Sequence, residues 1–358
     1  VYVALRVPTQ GGGVAALRDE DGNGGADQIE YFGEHAGTGL AIYEGFLYAS
    51  SDDAIYRYAL PEGPLAPAGP PETVIEGFPE QRSHASKAFA IDPEGNLYVN
   101  VGAPSNACQA EDRTHGSPGQ EPCPLLEEHA GIWRFDAGKS DQSFEDGERF
   151  ITGTRNIVAL DWNPLAGALY FVMHGRDQLH DLFPDLYTAE QSAELPAEEF
   201  HRAREGADYG WPYTYWDHQA GQRVVAPEYG GDSHTPAEED HQAPLEAFPG
   251  HWAPNDLLFY TAEAFPPEAQ GGAFIAFHGS WNRAPLPQGG YQVVLVPFDG
   301  AEPSGDWMVF ADGFKGAEVL EDSDDAEFRP MGLAQGPDGA LYIADSVQGR
   351  IWRVTYQG

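Results

Sequence analysis

One two-strand unit recurs along the chain: an apolar run, a turn that carries Gly, then a second apolar run built on Leu or Phe followed by Tyr or Ile. The copies are GLAIYEGFLYAS (39–50), KAFAIDPEGNLYVNVG (87–102), IVALDWNPLAGALYFVMHG (157–175), LLFYTAEAFPPEAQGGAFIAFHGS (257–280) and MGLAQGPDGALYIADS (331–346). AIYRYAL, GIWRFDA and RIWRVTY add a third strand bearing an aromatic and an Arg. Period-two alternation between Asp-Gly, Glu-Gly and Pro-Asp-Gly turns describes antiparallel hairpins, because neighbouring side chains point to opposite faces and these turn residues accept positive φ. Such a repeat is the pattern of β-propeller blades. VYVALRV, GGVAALRD and ADQIEYF supply a further set of strands, so the expectation is an all-β, six-bladed β-propeller with residues 1–358 as a single domain. Uneven spacing between copies marks long inserted loops at 103–130, 176–212 and 213–250, and the stretch LHDLFPDLYTAEQSAELPAEEFHRARE reads as holding a short helix. The Pro-rich segment 61–71 reads as an inter-blade loop. In propellers, insertions gather around one mouth of the central channel, where a small-molecule site would lie.

Charge narrows the function classes. With 57 Asp and Glu against 19 Lys and Arg, the formal net charge is −38. Neutralising phosphates needs an excess of basic residues, so nucleic-acid binding is excluded and anionic membrane surfaces are disfavoured. A hydrophobic content of 41% with 17 Tyr, 19 Phe and 8 Trp supplies a core that an acidic disordered chain lacks. Carboxylate excess with three lysines (Lys87, Lys139, Lys315) fits a saline or extracytoplasmic habitat. No apolar run reaches the length of a membrane span, and any export signal is expected upstream of Val1. Cys108 and Cys123 match neither a redox CxxC nor a haem motif, so a disulfide closing a polar Gly/Pro loop in an oxidising compartment is the preferred reading, with two free thiols as the alternative.

Several residues sit where a propeller does not itself require them. His84 precedes the unit at 87–102, and Arg155-Asn156 takes the same place before the next, so the two should be neighbours at one mouth. Met173-His174-Gly175-Arg176-Asp177 follows a second strand and offers backbone carbonyls to a hard cation. His278 to Arg283 and Arg329 complete the set. Arg155, Arg283 and Arg329 in an acidic protein read as an anion site, since guanidinium forks onto carboxylates, or else as partners of surplus surface carboxylates.

Taken in order, His84, TRNIVALDWNPLAGALYFVMHGRD, YGWP, HGSWNR and RPMGLAQGPDGALYIADS resemble the soluble pyrroloquinoline quinone (PQQ) dependent sugar dehydrogenases, of the glucose/sorbosone dehydrogenase type. The loop CQAEDR…CPLLEEHAGIWRFDA looks like the sorbosone branch. The resemblance implies that His84 is the general base removing the C1 hydroxyl proton while hydride passes to the quinone C5. It implies that Arg155 and Asn156 contact the quinone oxygens, with Arg155 stabilising the developing charge. Gly175 and Arg176 would hold a catalytic calcium through their main-chain carbonyls. Arg329 would meet a cofactor carboxylate, as would Asn282 or, in its stead, Arg283. His251 and Trp252 would cover the cofactor ring. One departure stands out: relatives follow the strand at 97–102 with an Asp that orients the base, whereas this chain has Gly102-Ala103-Pro104, leaving Asn106 or Asp112 as candidates for that contact.

A second metal pattern runs through Asp19, Asp21, Asn23, Asp27 and Glu30, with the oxygen spacing of a calcium loop, although a bare Asp-Gly-Asn-Gly hairpin turn reads the same way. The expectation is therefore a periplasmic or secreted PQQ- and calcium-dependent dehydrogenase of an aldose or related sugar, monomeric or homodimeric, without membrane insertion, and passing electrons to a cytochrome or other acceptor. A calcium-dependent propeller lactonase and a non-catalytic binding propeller are the alternatives.

Overall fold

The structure is a computed structural model that describes residues 1–60, 62–238 and 241–357. Six sheets follow one another along the chain, antiparallel except where Gln142–Ser143 adds a short parallel edge to the second. Blade 1 is Tyr2–Thr9, Gly12–Arg18 and Gln28–Phe32; blade 2 is Leu40–Tyr43, Phe46–Ser50, Ile55–Ala59 and Glu72–Glu76. Blade 3 is Phe89–Ile91, Asn96–Val101, Gly131–Asp136 and Glu148–Thr152; blade 4 is Ile157–Asn163, Ala168–Met173, Glu198–Arg202 and Glu246–Phe248. Blade 5 is Pro254–Phe259, Ala273–Phe277, Gln292–Val296 and Met308–Ala311; blade 6 is Pro330–Gln335, Leu341–Asp345 and Ile351–Val354. Each repeat unit forms the first two strands of one blade, and the six-bladed expectation holds.

Apolar side chains on both faces of the middle strands fuse neighbouring blades. Leu97 and Val99 pack with Tyr48, Ile157 and Phe171 with Ile132, Ile275 and Phe277 with Val172 and Phe200, and Leu341 and Ile343 with Phe274. Full burial of each such side chain contributes about 1.5–3 kcal/mol, so the inter-blade seams are the core. Two inner-strand carboxylates reinforce it. Asp161 of blade 4 accepts the Phe259 N–H of blade 5 at 2.7 Å, and Asp256 of blade 5 accepts the Leu333 N–H of blade 6 at 2.6 Å. Burial pushes both carboxyls up to about 7.

The inserted loops differ from expectation in detail. The 176–212 segment carries two short helices, Leu179–Leu182 and Ala189–Glu194, the second opened by a Thr188 capping box. The next insertion carries a hairpin, Thr214–Asp217 with Gln222–Val225. The Pro-rich segment, of which Pro61 lies outside the described residues, joins the third and fourth strands of blade 2 rather than two blades. Proline offers no N–H to a ladder, which suits any strand connection equally and fixes neither. Cys108 and Cys123 are bridged, as preferred from the sequence. No helix among the described residues is long and apolar enough to cross a membrane.

Candidate active site

Blade geometry puts the residues before each inner strand and those after each second strand at the same mouth. Hydrogen bonds confirm the neighbourhood: the Ala103 N–H of blade 3 donates to the Arg155 carbonyl at 2.7 Å, His174 N–H to the Asn156 carbonyl at 3.0 Å, and Gly279 N–H to the Trp252 carbonyl at 2.9 Å.

His84 sits in the left-handed region, φ 55°, held by the Gln81 amide, which donates to the carbonyls of Ser83, His84 and Gly102. Its Nδ1 lies 2.5 Å from the Ala103 carbonyl, which accepts only, so Nδ1 carries the hydrogen and Nε2 keeps its lone pair. This corrects the candidates for the orienting contact. Asp112 instead accepts the Ser105 hydroxyl and the Asn106 N–H, while the Asn106 amide grips the backbone of Asp177 at 2.9 Å through both its atoms. A side chain at 102 has no room either: a Cβ there would lie 2.7 Å from Asn156 Oδ1 and 2.8 Å from the His84 Cβ. Burial, then the Arg155 charge, lowers the His84 pKa to about 3 against the weaker opposing pull of the carbonyl and Asp177, so the imidazole is a neutral proton acceptor across the physiological range.

Arg155 is buried, and its guanidinium spans the Gly175 carbonyl and Asp177 Oδ2, both at 2.8 Å. Asp177 is the residue that reading the sequence missed. Its carboxylate also takes Arg113 at 2.8 Å and Asn282 Nδ2 at 3.0 Å, and His251 Nδ1 stands at 3.6 Å. Burial alone would raise its pKa; Arg155, His251 and Arg113 together hold it well below the usual carboxylate range. Arg113 arrives from the disulfide-closed loop, 64 positions away in sequence, and no local pattern announces it.

The other candidates divide. Arg329 donates to the His278 carbonyl at 3.0 Å and to that of Gly279, lies 5.3 Å over the Tyr291 ring, and has no carboxylate partner among the described residues. Its charge is therefore available to an anion. Arg283 is not available. Its guanidinium closes on Glu194 and on the carbonyls of Ala193 and Gly250, 2.8 Å each, so it pins a helix to the loop before His251. The Trp252 indole packs against Phe277 and Trp307, with its Nε1 buried and without a hydrogen-bond partner among the described residues. His251, by contrast, faces Asp177 while its Nε2 lies 2.8 Å from the Ser192 carbonyl. The Arg176 side chain, unexplained in the sequence, forms a buried ion pair with Glu228, which leaves its carbonyl to other uses. Asp19, Asp21 and Asp27 bring ligand atoms within 4.8 Å of one another on an exposed turn; Asn23 accepts the Gly25 N–H, and Glu30 lies in the strand Gln28–Phe32 outside the group.

The residues present fit an oxygen-rich heterocyclic cofactor and a hard cation. Arg155 Nε, Asn156 Oδ1 and Asn282 Oδ1 are buried with no hydrogen-bond partner. The carbonyls of Gly175 and Arg176 and the Asp177 carboxylate are the hard oxygen donors that calcium takes. Beyond His84 a groove of about 660 Å³, lined by Glu34, His35, Asp52, Asp53, Phe78 and Gln81, shares Gln81 with the base.

The six-bladed propeller agrees with a family match that runs over nearly the whole chain. The TrAA12-like family profile matches residues 7–357, and the chain belongs to that family. It is 26% identical over 278 residues to a pyrroloquinoline quinone-dependent pyranose dehydrogenase of Coprinopsis cinerea, covering 66% of this chain and 36% of that protein. It is 28% identical over 208 residues to an uncharacterized protein of Borreliella burgdorferi, covering 57% and 48%. The chain thus spans about half, or less, of the length of these curated relatives. Two solved structures share the fold. The calcium structure of Trichoderma reesei Carbohydrate-Active Enzymes Family AA12 superposes with a TM-score of 0.73 at 21% identity, covering 98% of this chain and 90% of the other. The holo form of the pyranose dehydrogenase PQQ domain from Coprinopsis cinerea gives 0.72 at 19% identity, covering 97% and 88%.

Proposed function

We propose that this chain, as one propeller unit, oxidises the anomeric carbon of an aldose or related pyranose with PQQ and calcium. The observation that carries the reading is His84: Nδ1 committed to the Ala103 carbonyl, Nε2 unencumbered, and Arg155 beside it. PQQ, when bound with calcium, supplies the hydride acceptor. The chain does the rest. His84 Nε2 takes the proton of the sugar hydroxyl, Arg155 and Asn156 stabilise charge on the facing oxygens, Arg329 binds a carboxylate and Asn282 orients the ring. Gly175 and Arg176 hold the cation through their carbonyls. The groove beside Gln81 receives the remainder of the sugar.

A net charge of −38 suits a basic electron acceptor such as a small cytochrome, whose approach it would accelerate. The Cys108–Cys123 bridge supports a periplasmic or secreted setting. Protein reconstituted with PQQ and calcium should reduce an artificial dye when an aldose is added. Replacing His84 by Ala should abolish that turnover while PQQ stays bound; turnover that survives in the variant would remove His84 from the role of base.

A further inference from the structure

Glu198 is 2% exposed, yet the described residues give its carboxylate no cationic partner. The contrast with the next residue is direct. Side chains alternate along the strand Glu198–Arg202, and Glu199 points the other way onto Arg223 and His201, forming a closed ionic cluster. Glu198 accepts two backbone N–H groups instead: Gly175 through Oε2 at 2.9 Å and Ala253 through Oε1 at 3.2 Å. Those amides belong to two different mouth loops. Gly175 opens the carbonyl pair proposed for the cation, and Ala253 closes the turn that carries His251, where both residues hold left-handed backbone, φ 69° and 56°. Glu198 acts electrostatically on Arg155 and on the buried His174, and the Arg155 guanidinium is already engaged by the Gly175 carbonyl and Asp177.

A buried carboxylate costs several kcal/mol unless a cation answers it. Two amide hydrogen bonds meet part of that cost.

We infer that Glu198 is a positioning residue for a divalent cation: by gripping the Gly175 and Ala253 amides it ties the loop that bears the Gly175–Arg176 carbonyls to the His251 turn. The inference rests on the functional reading above, and it makes calcium binding by the cofactor-free protein depend on a side chain that never touches the ion.

Calorimetric titration of the purified, PQQ-free chain with calcium alone separates the two. Wild type should bind, and Glu198→Gln, which keeps the shape but can accept only one of the two amide N–H groups, should bind roughly ten- to hundred-fold more weakly, the usual loss for a group supporting a metal ligand. A purely structural side chain would lower the melting temperature in EDTA without changing the calcium dissociation constant of the protein that remains folded. Equal calcium affinity in wild type and Glu198→Gln overturns the inference and leaves the functional reading standing. No calcium or PQQ binding by wild type overturns that reading first. Should Glu198→Gln fail to fold, Glu198→Asp decides the matter: its shorter carboxylate cannot reach both amides, so its calcium affinity should fall, and an unchanged affinity again overturns the inference.

Discussion

Lowering the pH from 7 to 4.5 should leave sugar oxidation nearly intact, although its proposed base, His84, is a histidine. An imidazole at its ordinary pKa of about 6.5 would be roughly 99% protonated at pH 4.5, costing about 100-fold in rate. In this fold burial and the Arg155 guanidinium bring the His84 pKa to about 3. At that value only about 3% is protonated at pH 4.5, a loss too small to measure. The sign follows from the charged form being the disfavoured one: the folded protein keeps His84 neutral down to its lowered pKa. The assay is kcat/KM for an aldose on PQQ- and calcium-loaded protein, because that ratio reports the free enzyme's base. A dye whose reduction is pH-independent should be used, with circular dichroism confirming folding at each point. A 100-fold fall with an apparent pKa near 6.5 would refute the reasoning and mean that His84 is solvated and loosely held in solution.

Two arginine variants should separate cleanly. Arg283→Ala should lose about 2–4 kcal/mol of stability, somewhat less than a fully buried pair because Glu194 keeps some solvent contact, and melting curves would show it. Arg329→Ala should melt near wild type but hold PQQ about 10- to 100-fold less tightly, the worth of one charge-assisted contact, as measured by fluorescence titration. Replacing Cys108 and Cys123 together by Ser should cost about 3 kcal/mol in denaturant titrations from the entropy of the opened fifteen-residue loop. The same variant should weaken PQQ retention, because that loop carries Arg113 to Asp177 and adjoins Asn106, which grips the Asp177 backbone.

Blade order was legible because it is local. Each hairpin announces itself by alternation and by its turn, and all five quoted units became the first two strands of a blade. The same register made His84, Arg155 and Arg329 legible, since a residue just before an inner strand has its mouth position set by the strand behind it. What stayed hidden depends on the inserted loops, which have no period. Asp177 stood in the sequence as the last letter of MHGRD, but its importance comes from Arg113 on the disulfide loop and Asn282 of the next blade. Arg283 looked like a free cation until a helix in the 176–212 insertion supplied Glu194, 89 positions earlier. Glycine at 102 marked a missing carboxylate, and only the packing of His84 against Asn156 shows why none fits there. The packing of Trp252 was hidden because its neighbours Phe277 and Trp307 belong to strands and loops further along the chain.

The central claim is that this propeller binds PQQ and uses it to oxidise a sugar. Absorbance spectroscopy of the apo-protein titrated with PQQ in calcium, then mixed with an aldose panel without any electron acceptor, tests it most directly. The account predicts that the quinone band stays with the protein through gel filtration and then disappears stoichiometrically when a suitable sugar is added. A protein that retains no quinone, or retains it with a spectrum indifferent to every sugar, would contradict the claim.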